Sequence, residues 1–114
     1  MKTLALFAAL FIGLTAYAQD PVKTSPQYYK VLLENDRVRM FEYRLKPGEK
    51  EPMHSHSAGV IYWLSGAKLR ITFPGGKSEE RKVVTGSAVS RDPVTHAVEN
   101  IGDTEAYAIA VDLK

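Results

Sequence analysis

From Tyr28 to the C-terminus no stretch as long as about three helical turns keeps its apolar side chains at helical spacing. What recurs instead is a short run rich in β-branched and aromatic residues, closed by Gly, Pro, Asn or Asp. The runs are 30–34, 37–46, 60–64, 68–73, 81–85, 87–90, 95–101 and 105–113. In 68–73, Leu69, Ile71 and Phe73 alternate with Lys68, Arg70 and Thr72, the pattern of a strand with one dry and one wet face. Ser65-Gly66-Ala67, Pro74-Gly75-Gly76 and Gly102-Asp103 read as turns. In 37–46 the apolar parity slips between Met40 and Phe41, which predicts a bulge or a strand buried on both faces. Along the last run, Ala106, Ala108 and Ala110 oppose Tyr107, Ile109, Val111 and Leu113; the alanines read as core packing rather than room for a subunit neighbour. About eight short strands in one small unit predict an all-β domain, a sandwich or barrel whose curled sheets hide their edges.

The segment before this domain has a different character. Met1-Lys2 is positive, Leu4 to Leu14 is apolar, and Ala16-Tyr17-Ala18 supplies small residues. Residues 1–18 therefore read as a signal peptide cleaved after Ala18, giving a secreted or periplasmic protein. The apolar run is too short for a ~30 Å hydrocarbon core, so no stable membrane insertion is expected. Residues 19–27 are polar, contain Pro21 and Pro26, and read as a mobile or extended N-terminal arm ahead of a domain at 28–114.

Charge and cysteine content narrow the function classes. The chain carries 15 Lys and Arg against 13 Asp and Glu, a formal +2 of which Lys2 contributes one. Near-neutrality gives no basis for a nucleic-acid or anionic-membrane partner. Arg81-Lys82, beside Glu79-Glu80, reads as an ordinary solvated face. With no cysteine there is no disulfide framework, thiolate nucleophile or thiolate metal ligand.

Three histidines remain: His54, His56 and His96. Two residues apart in an extended segment, His54 and His56 project to the same side. His96 lies in another strand-like run, which a barrel can bring alongside. Three neutral imidazoles suit Fe(II), Zn, Cu(II) or Ni(II) and leave positions open for water or substrate. From spacing alone, three unrelated histidines on the surface or in hydrogen bonds read equally well.

The sequence resembles the cupins, small metal-binding jelly-roll barrels, over about 28–114. Gly48, followed by Glu49-Lys50-Glu51-Pro52-Met53 and then His54-Ser55-His56, with Gly66 as closing glycine, resembles the first cupin motif. Gly86 and then His96-Ala97-Val98-Glu99-Asn100 resemble the second. The resemblance implies a jelly-roll β-barrel holding one divalent ion, Fe(II) by preference and otherwise Zn, Cu, Ni or Mn, on His54, His56 and His96. It also implies a small-molecule ligand or substrate and a homodimer.

Two departures shape that expectation. Where the family places a metal-binding glutamate this chain has Val60 or Ile61, and no carboxylate occurs between His56 and Glu79. Pro93 replaces the glycine before the second-motif histidine, so that turn must hydrogen-bond differently. An ion held by three neutral ligands keeps its full charge, which favours a Lewis-acidic centre and an anionic ligand. Three-histidine cupins of this pattern include dioxygenases acting on thiols or β-diketones, while other cupins isomerise, decarboxylate or only bind. Glu49 and Glu51, in the loop before the histidines, read as solvated charges whose replacement changes metal retention little. Phe41, Tyr43, Met53, Tyr62 and Trp63 are candidates to line a pocket at the mouth. Gly48, Gly66, Gly86 and Pro93 read as turn or bulge positions. Asn100 reads as a tie between strand and loop through its amide.

Overall fold

The computed structural model describes residues 19–114; the signal peptide expected at 1–18 lies outside them. The strands are β1 (Tyr29–Glu34), β2 (Val38–Leu45), β3 (Lys50–His56), β4 (Gly59–Ser65), β5 (Ala67–Thr72), β6 (Ser78–Val83), β7 (Ala88–Arg91), β8 (Val94–Asn100) and β9 (Ala106–Leu113). They form a five-stranded sheet in the order β1-β2-β9-β4-β7 and a four-stranded sheet in the order β3-β8-β5-β6, with every pairing antiparallel. Non-sequential neighbours in both sheets mean that the chain crosses repeatedly between them, the topology of a jelly roll. The predicted all-β domain is therefore what forms.

The core lies between the inner faces. Phe41, Tyr43 and Leu45 of β2, with Trp63 of β4, meet Leu69 and Ile71 of β5. Ala106, Ala108 and Ala110 are buried on the inner side of β9. The parity slip read in β2 has its counterpart across the ladder. β2 runs in unbroken register with β9, and the irregularity lies on β1, between Val31 and Leu33.

Two local expectations are corrected, and one strand is added. Residues 19–27 are not an extended arm: Pro21–Thr24 is a helical turn, α1, capped by Asp20, whose carboxylate accepts from the Val22 N–H, and Pro26–Tyr28 is a 3-10 turn. The segment is fastened by the Asp20–Arg39 ion pair and by the Ser55 N–H, which donates to the Gln19 carbonyl oxygen. Proline at the first helical position explains why a Pro-containing stretch still coils. The run expected at 81–85 begins at Ser78, because the Gly75-Gly76 turn folds an almost wholly charged strand back along β5. Edge strands of this kind carry charge instead of an apolar signal. β3, finally, is a strand that apolar alternation does not announce.

The positions assigned to backbone roles behave as such. Gly48 and Gly86 take φ of +84° and +80°, where a side chain would be strained. Gly66 has φ in the ordinary range, but a Cβ there would stand 2.3 Å from the Val83 carbonyl oxygen. Pro93 sits exposed in the connection between β7 and β8.

Candidate metal centre

β3 and β8 place the histidines. His54 pairs directly with His96 across the ladder, and His56, two residues on, faces the same interior. The ring centroids are 4.9 Å apart for His54–His56, 4.8 Å for His54–His96 and 5.9 Å for His56–His96. One nitrogen from each lies within 4.8 Å of the others.

Hydrogen bonding fixes which nitrogens face inward. His54 Nδ1 lies 2.8 Å from the Pro52 carbonyl oxygen, which only accepts, so Nδ1 carries the proton and Nε2 a lone pair. That Nε2 is buried and has no protein partner. His56 Nδ1 lies 3.0 Å from Asp112 Oδ2 and donates to it, leaving its own Nε2 free. Burial drives the His54 imidazole down to about 4 and that of His96 to about 3, the latter helped by the neighbouring histidines. Both are neutral at pH 7. An orphaned lone pair among neutral imidazoles is the donor set a divalent transition ion requires, so the residues fit such a group.

Two acidic groups stand behind this cluster. Asp112 accepts from His56 and pairs with Arg91, whose Nη2 also donates to the Ser57 carbonyl oxygen at 3.2 Å. Burial opposes ionisation of Asp112, but His56 and Arg91 outweigh it and hold the carboxyl below its ordinary value. Glu51 is only 1 % exposed. It accepts from the Tyr29 hydroxyl and, at 2.9 Å, from the Tyr43 hydroxyl, and its Oε2 lies 3.3 Å from His54 Nδ1. Burial raises its carboxyl from 4.5 to about 7, with the two phenols pulling the other way. The reading of Glu51 as a solvated loop charge is thus corrected. Glu49 does stay outside, accepting the Lys46 N–H at 2.7 Å.

The histidines form part of the wall of a cavity of about 480 Å³ between the two sheets. Phe41, Tyr43 and Trp63 line it, as do Leu69, Ile71 and Val98. Two residues proposed for the lining do not. Tyr62 is on the outer face of β4 and 45 % exposed, because alternation with Trp63 sends one of the pair outward. Met53 is half-buried in the irregular stretch of β3 and is not part of the wall. Arg81 and Lys82, read as ordinary surface, are exposed and also border the cavity. Asn100 is buried and ties the β8 end as expected. Its Nδ2 donates to the Leu45 and Thr104 carbonyl oxygens at 2.8 and 2.9 Å, and its Oδ1 accepts from the Gly102 N–H at 3.0 Å.

The solved structure of a cupin domain from Bordetella pertussis superposes with a TM-score of 0.68, at 30% identity, over 75% of this chain and 91% of that one. The chain belongs to the cupin superfamily. A cupin with a double-stranded β-helix fold from Methanocaldococcus jannaschii matches at TM-score 0.58 and 17% identity, over 75% and 77% of the two chains. The polyketide cyclase RemF from Streptomyces resistomycificus matches at 0.55 and 23%, over 75% of this chain and 63% of its own. These two establish the shared fold alone. No family model and no curated protein matches the sequence. As a cupin, the chain is a variant with three clustered histidines and, among the described residues, no acidic fourth ligand in the cluster.

Proposed function

We propose that this cupin is an exported protein holding one divalent ion, Fe(II) by preference, on His54, His56 and His96, and that it acts as a metal-dependent enzyme on a small anionic molecule. The observation that carries the reading is the buried, unpartnered Nε2 of His54 facing two further imidazoles at the wall of a ligand-sized cavity. When bound, the ion supplies Lewis acidity and, as Fe(II), the capacity for oxygen chemistry.

The chain's own groups do the rest. Phe41, Trp63, Leu69 and Ile71 shed water from the cavity and pack on an apolar ligand body. Lys82, exposed at the cavity border beside Arg81, favours an anionic end. Iron-loaded protein is given oxygen with a panel of small thiols and β-diketones. Substrate-dependent oxygen uptake that disappears in His96→Ala supports the enzyme. Reversible metal binding without turnover supports the second reading, a non-catalytic binding protein, which the predominantly apolar cavity wall favours. Among the described residues no helix is long and apolar enough to cross a membrane. Export is tested by the intact mass of protein recovered from the periplasm or medium, expected to begin at Gln19.

The same reading extends to pairing of two copies. The bulky residues of β9 face away from the barrel. In the ladder register Leu33, Met40, Val111 and Val60 form one row across four strands, and Ile109 and Tyr62 stand side by side in the next. An outer face of that composition needs cover. The Arg44–Glu105 and Lys114–Glu34 pairs that flank it carry both signs, and the near-neutral chain does not repel its copy, so the occupant is a second copy of this chain.

A further inference from the structure

An ion on three neutral imidazoles carries two uncompensated positive charges into a cavity with largely apolar walls, a costly arrangement unless negative charge lies close. Of the two acidic groups behind the histidines, Asp112 is paired with Arg91, so its charge is already shared. Among the described residues no Lys or Arg pairs with Glu51. The contacts it makes are the two phenol hydroxyls, which both donate to it, and His54 Nδ1 at 3.3 Å. A carboxyl on which two O–H donors converge, one at each oxygen, is arranged to receive hydrogen bonds as an anion. The Nδ1–H of His54 goes to Pro52 at 2.8 Å, so Glu51 acts on that imidazole by its field and not by orienting it.

We infer that Glu51 supplies, one step behind His54, the negative charge that the glutamate absent at Val60 or Ile61 would have brought to the metal. Its carboxylate leaves the coordination position open, yet offsets the ion's charge through the imidazole and raises the basicity of His54. Tyr29 and Tyr43 hold the carboxylate at that distance. Glu51 is thus a charge-compensating residue that acts through His54, not a ligand.

The inference rests on the three-histidine metal site proposed above, and the test separates the two. Zn(II) affinity, by competition with a chromophoric chelator, and the Fe(III)/Fe(II) potential are measured at pH 8 for wild type, Glu51→Gln, Glu51→Asp and His96→Ala. Glu51→Gln is expected to bind Zn(II) about 10- to 100-fold more weakly and to shift the iron potential upward, since loss of the anion disfavours Fe(III). A purely structural role would not produce that potential shift. Glu51→Asp, which keeps the charge, is expected to restore most of the affinity and the wild-type potential. If Glu51→Gln folds and leaves both quantities unchanged while His96→Ala loses the metal, the inference is overturned and the metal site stands. If Glu51→Gln does not fold, Glu51→Asp decides: a folded Glu51→Asp with an upward-shifted potential overturns the inference, and a wild-type potential supports it. If wild type itself binds no Zn(II), it is the metal-site reading that has failed.

Discussion

Glu51 and His54 lie on the same inner wall of the barrel although three positions of β3 separate them. Glu51 pairs with Val98 and His54 with His96, so Pro52 and Met53 together stand opposite the single residue Ala97. This extra residue restores a shared facing that plain alternation denies, and proline is tolerated there because a bulge frees it from the ladder. The buried Glu51–tyrosine cluster exists beside the histidines because of that irregularity.

Untagged protein is expected to carry close to one divalent ion per chain by elemental analysis. Replacing any one of His54, His56 or His96 with alanine is expected to weaken retention sharply. Retention in His96→Ala equal to wild type would refute the joint site.

The metal-free protein is expected to lose stability as pH falls below about 6.5. The unfolded chain binds protons at His54 and His96 there, whereas the folded chain does not until about 4 and 3, so unfolding takes up protons. Glu51 works in the opposite direction between 4.5 and about 7, where the folded state holds the extra proton. Two histidines outweigh one carboxyl, and the loss steepens below 4.5, once Glu51 is protonated in both states. Urea denaturation across pH 4–8 checks this. Replacing both histidines with glutamine is expected to flatten the acid limb.

Asn100→Ala removes three hydrogen bonds and leaves two carbonyl oxygens and one N–H without their partner. A loss of about 3 kcal/mol is expected by chemical denaturation. Metal affinity in folded Asn100→Ala is expected to stay close to wild type, since none of its partners touches a histidine.

Val60, 53 % exposed, ends the outer apolar row, and Tyr62 stands beside Ile109 in the next. Light scattering with size exclusion is expected to give a dimer for wild type and a monomer for Val60→Lys/Tyr62→Glu, with the metal retained. A monomeric wild type at micromolar concentration would remove the second copy as occupant.

What could be read from the chain follows from what period-two patterns encode. The half-dry strands, such as β5, and the shared side of His54 and His56 are direct consequences of alternation. Glu51 was hidden because the bulge reverses its parity with His54, and the visible signal was Pro52 inside an otherwise extended stretch. Asp112 was hidden among the bulky residues of β9, yet its two-residue spacing from Ala106, Ala108 and Ala110 placed it on their inner face. Arg91 depends on the β4–β7 pairing that brings it beside Gly59, a long-range relation that carries no local sequence pattern.

The inner side of β9 places a methyl group where its neighbours place rings. Ala108 pairs with Tyr43 on one side and Trp63 on the other, and Ala110 with Phe41. Both alanines border the cavity, and neither touches the histidines through any hydrogen bond or ion pair. The caliber of the chamber is therefore set from β9, while the three imidazoles stand on β3 and β8. Drift at these two alanines can change the size of molecule admitted while the reactive end of the barrel keeps its composition.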